Sequence, residues 1–112
     1  MKVFERIIEK TDIKIIYNLG QNANENHEII DDADKNDWWF HLTDYPSGHC
    51  IVEKSEIEEE DIIFASTLIK ENSKYKNFKR LSICYTQIKN IKKTKNPGEV
   101  KILVKPNYFI LF

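Results

Sequence analysis

With only three glycines, each isolated in the chain, the sequence holds no glycine-rich loop of the kind that cradles a nucleotide phosphate. A serine nucleophile elbow (G-x-S-x-G) and a metalloprotease helix (H-E-x-x-H) are missing as well. Two cysteines, Cys50 and Cys84, lack the C-x-x-C spacing of zinc and redox sites and read as buried, reduced thiols. No apolar run approaches the ~20 residues of a membrane span. Lys2, Glu5 and Arg6 bring charge too early for a secretion signal, so the expected location is the cytoplasm and no membrane partner is expected. Repeats, linkers and low-complexity tails are lacking too. A chain of 112 residues fits one domain, residues 1–112, able to bury about two-thirds of its unfolded surface.

Acidic residues are scarce in one third of the chain. Residues 74–112 carry 10 Lys/Arg against 1 Asp/Glu, whereas residues 1–73 carry 7 against 17. The net charge of −1 therefore conceals a strongly basic segment, suited to a polyanion, on an acidic remainder that limits nonspecific attraction. Folding can instead bring the two regions together to neutralise each other, so charge alone leaves both outcomes open.

Alternation and turn chemistry give most of the elements. Residues 3–8 and 13–17 read as strands joined by Glu9-Lys10-Thr11-Asp12, a loop of hairpin length. Asn22 is a helix N-cap with Glu25 as capping-box partner, and a short helix to residue 33 buries Ile29, Ile30 and Ala33. Ser55 with Glu58 repeats the pattern and predicts a helix over 56–72, with Ile62, Ala65, Leu68 and Ile69 inward. In that helix Glu58 to Asp61 form a solvated, dipole-matched first turn. Lys74-Tyr75-Lys76-Asn77-Phe78-Lys79-Arg80 interleaves aromatics with cations and leads into a strand over 81–86. Residues 87–93 continue extended, with Lys89 and Ile91 on one side and Ile88 and Lys92 on the other. Strands over 100–104 and 108–112 close the chain as a hairpin about Pro106-Asn107.

The chain is organised around the stretch 37–51, which holds both tryptophans and two of the three histidines. Residues 38–42 suit a strand, Tyr45-Pro46-Ser47-Gly48 is turn chemistry, and 49–52 resumes a strand. Successive strand residues point to opposite faces, so Trp39 shares a face with His41, and Trp38, Phe40 and Leu42 share the other. Because His41 and His49 are equally spaced about Tyr45, the reversal sets them side by side. Trp38 and Phe40 read as core. The histidines read either as hydrogen-bonded lining residues or as groups that meet a ligand. His41 and His49 with Asp37 or Asp44 would offer a metal two histidines and no fixed third ligand, so neither a metal nor any other cofactor is expected.

Taken in order, Leu19-Gly20-Gln21-Asn22-Ala23-Asn24-Glu25-Asn26, Asp37-Trp38-Trp39-Phe40-His41, Pro46-Ser47-Gly48-His49, Tyr85-Thr86, Ile88-Lys89-Asn90-Ile91-Lys92-Lys93 and Pro97-Gly98-Glu99-Val100 resemble the NFACT-R domain over nearly the whole chain. Members occur in ribosome quality-control factors, which bind stalled large subunits and tRNA and support tailing of nascent chains, and also as small separate proteins. The resemblance implies an RNA-binding module of α+β class: a single compact domain with a mixed, mostly antiparallel sheet and two main helices. Asn22 and Asn26 match the family's Gly-Arg-Asn-x-x-x-Asn/Asp segment, Trp39 and His41 its Trp-Phe-His segment, and His49 the histidine after its Pro-Gly-Ser turn. Gln21 stands where the family has Arg, removing a bidentate phosphate partner. Pro46-Ser47-Gly48 permutes the usual turn. The expectation is a freestanding copy without the tRNA-binding or coiled-coil domains of the larger factors, so tailing activity is not expected of it alone.

The nucleic-acid-binding residues expected on these grounds are Asn22, Asn26, Trp39, His41, His49, Lys79, Arg80, Lys89, Lys92 and Lys93. The lysines and arginine would neutralise phosphates, and the others would meet bases, sugars or phosphate oxygens. The partner would be RNA, either tRNA or ribosomal RNA, with the large ribosomal subunit as its setting and DNA left open. Two alternatives stand beside this. One is an RNA-modifying or RNA-cleaving enzyme using His41 and His49 as acid and base. The other is a protein-interaction domain docking through its basic third.

Overall fold

The computed structural model describes residues 1–112. In chain order it contains β1 (Lys2–Ile8), β2 (Ile13–Leu19), α1 (Ala23–Asp32), β3 (Trp38–Leu42), β4 (Cys50–Val52), α2 (Glu59–Glu71), β5 (Leu81–Gln87), β6 (Ile91–Lys93), β7 (Val100–Ile102) and β8 (Asn107–Leu111). Six strands form one sheet in the order β1-β2-β4-β3-β5-β8, and β6 pairs with β7 in a separate ribbon. All pairings are antiparallel. The class is therefore α+β, as the sequence implies.

Strand order dictates where the helices lie. Both β2 and β3 are antiparallel to β4, which lies between them, so α1 must cross over the sheet to connect them. In the same way α2 crosses from β4 over β3 to β5. The two crossovers take opposite faces. Ala65 and Ile69 of α2 pack on Ile15, Tyr17, Phe40, Leu42 and Ile83, while Ile29 and Ile30 of α1 pack with Ile91 on Trp39, Ile51 and Cys84. Alternation along β3 thus sends Phe40 and Leu42 to one core and Trp39 to the other. Each such large apolar side chain contributes about 1.5–3 kcal/mol by leaving water.

Asn22 caps α1 through its side-chain oxygen, which accepts from Glu25 N–H at 2.9 Å. The second helix begins later than the Ser55 pattern predicts. Glu58 is its N-cap and Asp61 accepts from Glu58 N–H at 2.9 Å. The acidic first turn is also not wholly solvated: Glu58, Glu59 and Glu60 are exposed, but Asp61 is 0% exposed. Its carboxylate is taken up by Arg6, Lys54 (2.8 Å) and the Tyr17 hydroxyl (3.2 Å). Partners on β1, on β2 and in the loop before the helix outweigh the local pattern.

Two further expectations are corrected at the C-terminal end. Residues 87–93 do not run extended: Ile88–Asn90 form a 3₁₀ turn before β6 begins. Backbone partners fix that turn, with Ile88 N–H donating to Asp37 O and Lys89 N–H to Lys35 O, both at 2.9 Å. The strands expected over 100–104 and 108–112 do not pair with each other. β7 pairs with β6, which places Ile91 and Ile102 over Trp39's face of the sheet, and β8 takes the free edge of β5.

Candidate nucleic-acid interface

The β3–β4 register pairs Trp38 with Val52 and Phe40 with Cys50, which continues to place His41 opposite His49 across the turn. Their rings meet edge to face with centroids 4.9 Å apart. Trp39 lies against His41 in a near-parallel stack, 5.7 Å between centroids, and its indole N–H donates to His49 Nδ1 at 3.1 Å. An Nδ1 that accepts leaves the proton of a neutral imidazole on Nε2. His49 therefore carries an Nε2–H donor, and that donor has no partner within the chain although the residue is only 2% exposed.

His49 is held from its backbone as well. Its N–H donates to Asn26 Oδ1 at 3.0 Å, and its carbonyl accepts from Gly20 N–H at 2.9 Å. The approach is close enough that a Cβ on Gly20 would collide with Asn26 Oδ1, and one on Gly48 with the Gly20 carbonyl. Glycine at both positions is therefore a requirement of contact and not of dihedral freedom.

These pieces floor an open groove of about 550 Å³ at one end of the sheet. Its lining includes Gln21 and Asn22 at the start of α1, Ser47 and Lys74, and Gly98 and Glu99 of the β6–β7 turn. The third histidine, His27 of α1, secures that turn by donating from Nε2 to Glu99 O at 3.0 Å. Burial, with smaller effects from the neighbouring His41 and His27, pushes the His49 pKa down to about 3. Burial also lowers that of His41. Both rings are neutral at pH 7 and offer directional hydrogen bonds without charge.

The sequence profile of the NFACT protein RNA binding domain matches residues 2–103. The chain belongs to this family. Over 76 residues, 67% of the chain, it is 32% identical to the Rqc2 homolog RqcH of Bacillus subtilis, of whose length it spans 13%. The C-terminal portion of the fibronectin/fibrinogen-binding protein from Streptococcus suis shares the fold, with a TM-score of 0.83 at 23% identity over 96% of this chain and 44% of that one.

Within this NFACT-R domain the expected site residues separate by position. His41, His49 and Asn22 line the groove, and Asn26 lies beneath it with its carbonyl oxygen committed to His49. Trp39 is 2% exposed, which places its ring out of reach of a stacked base and makes it the support of both imidazoles. The cations divide between two places. Lys92 sits on the β6–β7 ribbon directly opposite Lys101, both exposed, whereas Lys93 is paired with Asp31 of α1. Lys89 is exposed at the 3₁₀ turn. Lys79 and Arg80 precede β5, away from the ribbon, with Arg80 over the Phe112 ring at 6.0 Å. Asp37 accepts from Asp34 N–H at 2.9 Å, and no group of three or more metal-ligating side chains comes together.

Sequence reasoning missed His27, Lys74 and Lys101. Lys101 had a signal in the alternation of Val100-Lys101-Ile102, but its opposition to Lys92 depends on a strand pairing that the alternation does not specify.

The neutral histidines make the fold acid-sensitive. A folded-state pKa below the unfolded value near 6.5 means that the unfolded chain binds protons first as pH falls. Stability should thus be full above pH 6.5 and decline by roughly 1.4 kcal/mol per unit toward the His49 value near 3, with His41 adding in the same direction. Urea unfolding should show a loss of about 2–3 kcal/mol from His49 by pH 4.5. His49→Gln should flatten that decline; an equally steep decline in the variant would refute the assignment.

Proposed function

We propose that this chain binds RNA across the histidine groove and the lysine ribbon, with an RNA strand's phosphates on the ribbon and its sugar or base edges in the groove. NFACT-R is an RNA-binding domain family linked to ribosome quality control. The observation that carries the proposal for this chain is the unpartnered Nε2–H of His49, on a largely buried ring fixed in tautomer by Trp39, at the floor of an open polar groove. A neutral donor suits a 2′-hydroxyl oxygen or a base acceptor, the features that distinguish RNA from a generic polyanion. The exposed ribbon supplies the salt-dependent part of the affinity.

The same chemistry favours binding over catalysis. A general acid–base pair works best with values near the operating pH, and one residue raised while the other is lowered. Here burial lowers both histidines. Binding of tRNA or ribosomal RNA, association with the large subunit and a cytoplasmic location are the finer parts of the proposal; the likeness to the Rqc2 homolog RqcH supports its ribosome quality-control setting.

Fluorescence polarisation with labelled tRNA, single-stranded RNA and duplex DNA, each over a salt series, tests it. Binding to RNA that weakens steeply with salt, and a weaker response to DNA of matched length, is the expected result. No RNA binding at low salt would overturn it.

A further inference from the structure

After α2 the chain makes a series of turns over residues 73–78, held by Tyr75 N–H donating to Ser73 Oγ at 3.1 Å and Phe78 N–H to Tyr75 O at 2.9 Å. These turns bring two aromatic rings from one segment against a third from the β3–β4 reversal. Tyr45 stacks on Tyr75 with centroids 4.4 Å apart, and Phe78 meets both edge to face, at 5.6 Å and 5.3 Å. Tyr75 leans on the core beneath, but Tyr45 and Phe78 remain 38% and 42% exposed. Rings serving only as a core lid would turn their faces inward; these two leave large apolar surface in water. The segment 74–80 contains no acidic residue and carries Lys74, Lys76, Lys79 and Arg80, all exposed, with the Lys74 ammonium 5.6 Å from the Tyr75 centroid.

Part-exposed aromatic rings on a cation-rich segment match one ligand chemistry closely. The rings offer π-faces to bases that have lost their own stacking partners, and the cations meet the phosphates between them. A base-paired duplex hides its faces and could use only the charges. The platform also adjoins the histidine groove, since Lys74 lines the groove and Tyr45 immediately precedes the Pro46–Gly48 wall.

We infer that Tyr45, Tyr75 and Phe78 form a stacking platform for unpaired bases, which directs this chain to single-stranded RNA segments entering the groove. This deepens the RNA-binding function proposed above and rests on it. None of the three aromatic residues is part of the histidine floor, so the two can be separated experimentally.

The test measures affinity for a labelled single-stranded RNA 12-mer and for a duplex RNA of the same length, at several salt concentrations, with Phe78→Ser, Tyr45→Ser and Phe78→Trp. Both serine variants replace exposed rings, and an unchanged circular dichroism spectrum checks their folding. Each should weaken single-strand binding by roughly tenfold while leaving the salt slope and the duplex affinity unchanged, because a stack and no charge has been removed. Phe78→Trp should retain affinity, and its indole fluorescence should be quenched by the single strand but not by the duplex. Serine variants that bind single strands as the parent protein does, or a tryptophan that responds equally to both RNAs, would overturn the platform while leaving RNA binding standing. A parent protein that binds neither RNA would overturn both.

Discussion

Asp61→Ala should destabilise the domain by about 3–5 kcal/mol, a large share of the roughly 5–15 kcal/mol that holds a domain of this size together. The carboxylate is wholly buried and joins four groups: Arg6, Lys54, the Tyr17 hydroxyl and the Glu58 N–H. Removing it leaves two cations in a partly buried site with no counter-charge, the phenol without its acceptor and α2 without half of its N-terminal cap. The network also ties β1 to α2, so a stable edge strand depends on it. Urea unfolding at pH 7 measures the effect. Lys54→Met alone should cost less, because Arg6 still neutralises Asp61. Burial acts to raise the Asp61 carboxyl, but hydrogen bonds and charge from Lys54, Glu58 N–H and Arg6 overcome it and hold the pKa below 3.8. Its contribution is accordingly present above the unfolded value and lost as pH falls below it. A cost under 1 kcal/mol for Asp61→Ala would mean that hydration of the freed cations replaces the network.

The second large effect is on binding. Lys92→Gln together with Lys101→Gln should lower RNA affinity by at least tenfold at 0.1 M salt and reduce the salt slope by about 1.4, two phosphate contacts at roughly 0.7 each for a single strand. Lys92 and Lys101 are register partners across the ribbon, and neither takes part in an ion pair. Like charges in that position destabilise the strand pair, and a phosphate placed between them removes the repulsion. Lys93→Gln should have a smaller effect, because Lys93 is already paired with Asp31. Polarisation titrations on the three proteins decide the matter. A loss in log affinity from Lys93 half that of the Lys92 and Lys101 pair, equal per charge removed, would show that net charge, and not the ribbon, attracts the RNA.

Local chemistry makes much of this legible in the sequence. The Asn22 cap, the β1–β2 hairpin and the two faces of β3 each depend on residues within a few positions, and so does the meeting of His41 and His49, which needs only a turn centred on Tyr45. What stayed hidden depends on partners far along the chain. Asp61 reads as one more solvated carboxylate until β1 brings Arg6, 55 residues away, against α2. Lys93 reads like Lys92 until α1 presents Asp31 to it. The last two strands had a choice of edges, and alternation states which face a strand shows without naming its neighbour. Trp39 looked like a surface aromatic beside a histidine because the β6–β7 ribbon that covers its face is an insertion between β5 and β8 that pattern alone reads as continued strand.

The meeting of Gly20, Gly48 and Asn26 has a further consequence for how such a groove can diversify. Two backbone segments touch there with no side chain between them, so the floor cannot be widened or narrowed by exchanging one small residue for a slightly larger one. Any added carbon would move the Gly20 carbonyl, the Asn26 amide and the His49 backbone together. The floor is therefore inherited as a unit. Variation in what the groove accepts must come from its rim, at positions such as Gln21 and Lys74, where side chains are exposed and can change one at a time.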